Sequence, residues 1–279
     1  MGMKRPFLSW TGSKFKLARK IISYFPLRRI NAGFPYVGGG AVFAATSRAK
    51  MESINDIDEG LTNLYIQLRE RPQELVAAIE ATMFSPMELR LAQQPTDDPL
   101  EWARRFYTKV WLSFRHYEAD GRPLSFRRQY DVSSGMTTSV RAFMRTDALY
   151  VLAKRLRGVT IENLDALEYI GRYDNENAFF YVDPPYEFAS RVAKKAAYEF
   201  EIGDPHDTAA DEAAHRALAA VLNGMKGTAV VSGYATPLYA ELYEANGWER
   251  VDFKARINGT RTAVESIWIH PRNQQARLL

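Results

Sequence analysis

Cysteine is absent from the 279 residues. Disulfides, thiolate metal ligands and a cysteine nucleophile are therefore excluded. Histidine is scarce, and His116, His206, His215 and His270 lie far apart, without the short spacing of a metal site. No metal is expected. No apolar run approaches the ~18–20 residues that a membrane-spanning helix needs. Met1 to Trp10 lacks the apolar stretch of a signal peptide. A cytoplasmic protein without membrane contact is expected. Internal repeats and low-complexity tracts are also missing. What remains is 46% hydrophobic and 25% charged, the balance of an ordinary soluble chain, which counts against disorder, collagen-like repeats and coiled-coil rods. The length suits one large domain, or a core domain with an insert.

The net charge of +4 says little until it is placed. From Leu100 to Arg157 twelve basic residues face five acidic ones, a net +7 that leaves −3 for the rest. A basic middle in a mildly acidic frame is the pattern of a nucleic-acid contact region. A solvated helical surface with surplus arginine would give the same count.

Periodicity divides the chain into α/β ends and a helical middle. Lys14–Phe25 has helical spacing, Phe34–Val37 reads as a strand, and Ala41–Ser47 opens a helix. Met51–Ile57 reads as a second strand, followed by a helix over Glu59–Arg69. In the middle, Glu101–Tyr117 places Trp102, Phe106, Val110, Trp111 and Phe114 on one helical face, and Val140–Leu156 is helical again. The stretch between them, Leu124–Thr138, reads as loop or hairpin. The α/β pattern then resumes, with strands at Val159–Glu162, Ala178–Val182 and Thr228–Ser232 and helices at Leu164–Ile170, Thr208–Met225 and Pro237–Ala245. Trp248–Lys254 and Ser266–His270 read as strands able to pair as an antiparallel ribbon.

Asp183-Pro184-Pro185-Tyr186 is the most informative string. It ends a strand, so it lies at the carboxyl edge of a sheet, where open α/β folds bind ligands. Two prolines fix φ and stop the strand. They hold a carboxylate, a carbonyl and an aromatic face in one rigid turn. An amino group conjugated to a ring could donate to Asp183 and to the Pro184 carbonyl, which would localise its lone pair, while Tyr186 stacks on the ring. An acidic turn that merely ends a strand is the plain alternative. A second motif, Phe34-Pro35-Tyr36-Val37-Gly38-Gly39-Gly40, lets a ligand approach the backbone after a strand. It could serve a dinucleotide, a nucleoside or tight packing; Phe43 breaks the full dinucleotide spacing. Asp56 ends the next strand, where an acidic residue binds ribose hydroxyls in nucleotide-type folds. It could also cap the helix near Glu59, although Asp58 is the better cap. Trp10 and Lys14, taken alone, read as core and as a solvated first-turn residue.

Taken in order, Arg5–Lys14, the Gly38–Gly40 turn, Asn55-Asp56-Ile57-Asp58 and Asp183–Tyr186 resemble the Dam-type DNA adenine methyltransferases. The resemblance continues in Val231-Ser232-Gly233-Tyr234 and Arg261–Ile269, and is weak in the middle. It implies a Rossmann-like S-adenosylmethionine-dependent methyltransferase sheet, of class α/β, with an inserted, mostly helical target-recognition domain. Residues 1–58 and 158–279 would form the catalytic domain and 59–157 the insert. The resemblance implies S-adenosylmethionine held by Trp10, Lys14, Tyr36, Gly38, Gly40, Asp56, Asp165 and Asp183. It implies that Asp183, Pro184 and Tyr186 hold a flipped adenine of double-stranded DNA. Arginines between Arg104 and Arg145 would hold phosphates, with Arg115, Arg122, Arg127 and Arg128 as the DNA-binding choice. No obligate protein partner is implied. Two departures stand out: Phe34 replaces the family's usual acidic residue, and Thr11-Gly12-Ser13 stands where two glycines are commoner. The rival readings are a cytosine N4-methyltransferase, a catalytically weak DNA-binding relative and a nicotinamide-dependent dehydrogenase. The glycine spacing and Asp183–Tyr186 count against the last.

Overall fold

The computed structural model describes residues 6–113, 124–127, 143–190, 200–204, 207–256 and 262–273. Seven strands form one sheet: β1 (Asn31–Phe34), β2 (Met51–Asn55), β3 (Thr160–Glu162), β4 (Ala178–Val182), β5 (Thr228–Gly233), β6 (Glu249–Arg256) and β7 (Thr262–Ile269). Their spatial order is β3-β2-β1-β4-β5-β7-β6. The first five are mutually parallel, and β7 runs antiparallel to both β5 and β6. The ribbon read from the sequence is therefore present, with Glu249 opposite Ile269 and Arg256 opposite Thr262. Strand order reverses between β1 and β4, which makes the carboxyl ends of those two strands the place where an open α/β sheet leaves a crevice.

Side-chain alternation builds the two layers. All five residues of β4 are buried. Phe179 and Tyr181 enter one core, and Phe180 and Val182 enter the other. β7 divides the same way, with Ile267 and Ile269 on the first face and Trp268 on the second. The first face carries helices α1 (Ala18–Ile22), α2 (Ala41–Ala45), α3 (Glu59–Glu70), α4 (Pro72–Glu80), α5 (Pro86–Leu91), α6 (Pro99–Leu112) and α7 (Asp147–Leu156). Their apolar residues and that face of the sheet share one continuous core. The second face is covered by α8 (Ala166–Tyr173), α9 (Thr208–Gly224) and α10 (Pro237–Leu242). Among the described residues, no helix is long and apolar enough to cross a membrane.

Several boundaries differ from the sequence reading for identifiable reasons. The strand expected over Phe34–Val37 lies earlier, at Asn31–Phe34, and shares only Phe34 with that reading, because Pro35 cannot donate to the ladder. The opening helix shortens to Ala18–Ile22. The helix after β3 starts at Ala166 because Asp165 caps it, accepting from the Leu167 and Glu168 amides. Helices α4 and α5 were not anticipated, although Pro72 and Pro86 sit at their starts and the Ser85 hydroxyl caps α5. On α6 the buried face is Ala103, Phe106, Tyr107, Val110 and Trp111, and Trp102 is 37% exposed. Trp102 thus lies about one residue's rotation off the face assigned to it. Phe114, the last residue of that expected face, lies outside the described residues.

Candidate active site

The turn after β1 and the turn after β4 flank one cavity of about 560 Å³ at the switch point. Its wall includes Trp10, Lys14, Tyr36, Gly38, Gly40, Asp56, Asp165 and Asp183. All eight residues expected around a cofactor are thus brought together, from five separate stretches of chain. Pro185 also lines the cavity, whereas Pro184 and Tyr186 are set back from its wall.

The glycine turn is shaped by its protein neighbours as well as by the space it leaves. Gly38 and Gly40 have φ of +47° and +61°, which glycine adopts without penalty. A Cβ on Gly38 would lie 2.8 Å from Trp10 Nε1, and one on Gly40 would lie 2.5 Å from the Tyr65 hydroxyl oxygen. Tyr65, on α3, donates its hydroxyl to the Gly38 carbonyl at 2.7 Å. The packing explanation offered for these glycines is therefore part of the answer.

Asp56 fixes the same turn from β2. Its Oδ2 accepts the Gly38 amide at 2.8 Å, and its Oδ1 accepts the Asp58 amide at 3.2 Å. Burial pushes its carboxyl up to about 7, while those backbone donors pull the other way. Asp58, as expected, is the helix cap and accepts the Leu61 amide. The neighbouring Asn55 is a site residue that sequence reading missed. It donates to the Pro35 and Leu164 carbonyls, both at 3.0 Å, and accepts the Leu164 amide at 2.9 Å. One amide side chain thus ties the β1 turn to the β3 exit.

Around Asp183 the charges are tightly coupled. Lys14, only 6% exposed, places its ammonium 3.0 Å from Asp183 Oδ1. The same ammonium donates to the Gly12 carbonyl at 2.8 Å and lies 4.6 Å from the centre of the Tyr186 ring. The Tyr186 hydroxyl donates to Glu265 Oε2 at 2.8 Å, and Asp183 Oδ1 is 3.4 Å away. Tyr234 packs edge-on against Tyr186. Burial, then the Asp183 and Glu265 carboxylates, hold the Tyr186 hydroxyl well above the usual phenol range. Burial also raises Glu265, with Lys14 opposing.

Glu265 was not singled out from sequence, yet a signal existed. It shares its strand face with Ile267 and Ile269, both in the first core. A carboxylate on the apolar face of a strand is unusual enough to ask what it serves.

Phe34 is fully buried, packing against Phe43 and Tyr181 at ring-centre distances of 5.4 and 6.4 Å. The residue that departs from the family's acidic pattern is thus built into an aromatic wall of the cavity.

The basic middle divides into two kinds of arginine. Arg104 and Arg105, counted among phosphate-holding candidates, are consumed by the fold. Arg104 pairs with Glu101 at 2.6 Å and Glu88 at 3.0 Å and donates to the Thr82 hydroxyl. Arg105 pairs with Glu101 at 2.7 Å. These pairs hold the Glu101 carboxyl down at about 2, chiefly through Arg104. Arg155 is likewise engaged, bidentate on Glu52 and stacked on Phe43. Arg127 donates to the Ser113 carbonyl at 2.9 Å and lies 3.4 Å from the Ser9 hydroxyl. Arg115, Arg122 and Arg128 lie outside the described residues.

Sheet order and cavity position define a Rossmann-like methyltransferase fold. The family model for D12 class N6 adenine-specific DNA methyltransferases matches residues 10–257, and the chain belongs to that family. Among its relatives, the Type II methyltransferase M1.LlaDCHI of Lactococcus lactis subsp. cremoris is 24% identical over 291 residues, covering 93% of this chain and 91% of the relative. The DNA adenine methylase of Escherichia coli K12 is 25% identical over 281 residues, covering 96% and 95%. The Haemophilus influenzae DNA adenine methylase is 41% identical, over 61 residues only. The reaction is accordingly methylation of adenine N6 in DNA, and the cytosine reading gives way.

Proposed function

We propose that the methyl donor is S-adenosylmethionine, seated in the cavity between the β1 and β4 turns, and that the acceptor is an adenine extruded from duplex DNA. The observation that carries this reading is the convergence of all eight expected residues on that cavity. Its volume falls in the range of small-molecule sites. The donor set fits the ligand. Asp56 and Asp165 offer acceptors for hydroxyl and amino groups, and Phe34 and Phe106 give apolar walls. When bound, S-adenosylmethionine supplies a methyl group already activated on a sulfonium.

The chain's part is to orient and polarise. Adenine N6 is a poor nucleophile because its lone pair is delocalised into the ring. Asp183 accepts one amine hydrogen and the Pro184 carbonyl accepts the other, which draws the lone pair out of conjugation and aims it. Tyr186 supplies a ring face for the extruded base, offsetting part of the few kcal/mol that extrusion costs. Residues 59–157 serve as the target-recognition region, with Arg115, Arg122, Arg127 and Arg128 on the DNA. Arg127 does so from a guanidinium anchored at the Ser113 carbonyl. The test is Asp183→Ala. Its methylation rate should fall roughly 10²-fold or more, and near-normal activity would sink the mechanism.

A further inference from the structure

The carboxylate that the proposed function reserves for the adenine amine, and the ring it reserves for the base, already hold a cation. Lys14 Nζ lies 3.0 Å from Asp183 Oδ1 and 4.6 Å from the Tyr186 ring centre. A base stacked on that face of the ring with its amine on Asp183 would overlap the ammonium, which must move to admit it. Lys14 is almost wholly buried, so moving it without a new acceptor would strand a desolvated charge. A second carboxylate of the described residues lies near it: Glu265 Oε2, 3.9 Å from the same nitrogen. It projects from β7, across the sheet from the Asp183 turn.

We propose that Lys14 is a placeholder in the amine site and that Glu265 is the positioning residue that receives its ammonium when the adenine enters. This rests on the reading of Asp183 and Tyr186 given above. A shift of roughly one ångström would bring the ammonium from 3.9 Å to ordinary pairing distance from Glu265, and Asp183 would then be released to the amine. The Tyr186 hydroxyl bond to Glu265 keeps that carboxylate aimed at the site. Glu265 thus acts through Lys14 and touches no reacting atom.

A double-mutant cycle separates this role from a structural one. Glu265→Gln keeps an acceptor for the Tyr186 hydroxyl and removes only the charge. Its transfer of labelled methyl to unmethylated DNA is timed at saturating S-adenosylmethionine, in the wild-type background and in Lys14→Met. Thermal melting of each variant checks that the fold is intact. We expect the rate to fall about tenfold or more with Glu265→Gln in the wild-type background. Within Lys14→Met, which should retain measurable transfer, the same change should have little effect. A similar loss in both backgrounds, no loss in either, or complete inactivity of Lys14→Met would each overturn the placeholder role. Failure of the wild-type protein to methylate adenine would instead refute the functional reading, before any variant is compared.

Discussion

Replacing Gly40 by alanine tests whether the glycine turn is set by its own packing. The residue has φ of +61°, and an added Cβ would sit 2.5 Å from the Tyr65 hydroxyl oxygen and 3.3 Å from Phe7 Cε1. The left-handed backbone costs about 1–2 kcal/mol for a residue with a Cβ. The overlap with Tyr65 adds about 1–3 kcal/mol, as overpacked cores do. Together these give about 2–5 kcal/mol. In a chain of this size that is a fall in melting temperature of roughly 3–9 °C. Tyr65→Phe alone forfeits one hydrogen bond to the Gly38 carbonyl, about 1 kcal/mol. That change also removes the atom against which the alanine collides. In Gly40→Ala/Tyr65→Phe the closest remaining contacts are ordinary or slightly tight, so only the backbone cost and the lost bond should persist. The double variant should therefore be no less stable than Gly40→Ala, a coupling of about 1–3 kcal/mol. Thermal melting or urea titration of the four proteins decides it. Strict additivity, or a neutral Gly40→Ala, would refute the packing argument.

With Asp56 in the proposed cofactor role, affinity should depend on pH. Its carboxyl is raised to about 7, so it is ionised above that value and protonated below it. If the ionised form accepts the ribose hydroxyls, affinity should drop about tenfold from pH 8 to pH 6. Calorimetric titration should show that slope disappear in Asp56→Asn; an unchanged slope there would assign the titration to another group. Arg104→Ala should lower the melting temperature, because it strands Glu88 and leaves Glu101 with Arg105 alone, a loss of about 2 kcal/mol after allowing for their partial exposure. Its DNA binding should keep the wild-type salt dependence, and a shallower slope would mean that Arg104 does contact phosphate.

Much of the frame was legible in the sequence because it follows from short-range rules. β4 was read over the five residues it occupies, since an unbroken apolar run bounded by two prolines leaves few alternatives. The antiparallel ribbon is legible as two strand segments, Trp248–Lys254 and Ser266–His270, close enough in sequence to pair. What was missed depends on contacts distant in sequence. Arg104 looked like a phosphate-holding arginine until Glu88 and Thr82 were placed beside it. Asn55 stood inside a quoted motif, but its bonds to Pro35 and Leu164 exist only once three strands lie side by side. Glu265 was the subtler omission. Strand parity already put it on the core face, but the partners that explain it, Lys14 and Tyr186, lie 251 and 79 positions away. Helices α4 and α5 carry legible start signals, Pro72 and Pro86 at their first positions and the Ser85 cap.

In the proposed mechanism the cavity between the two turns transfers a methyl group to adenine N6 with Asp183 holding the amine. The most direct test incubates the protein and its Asp183→Ala variant with labelled S-adenosylmethionine and unmethylated duplex DNA, then analyses the nucleosides. The account predicts label in N6-methyladenine with the wild-type protein and a loss of roughly 10²-fold or more in the variant. Label in a cytosine derivative, equal transfer by both proteins, or bound cofactor with no transfer at all would contradict it.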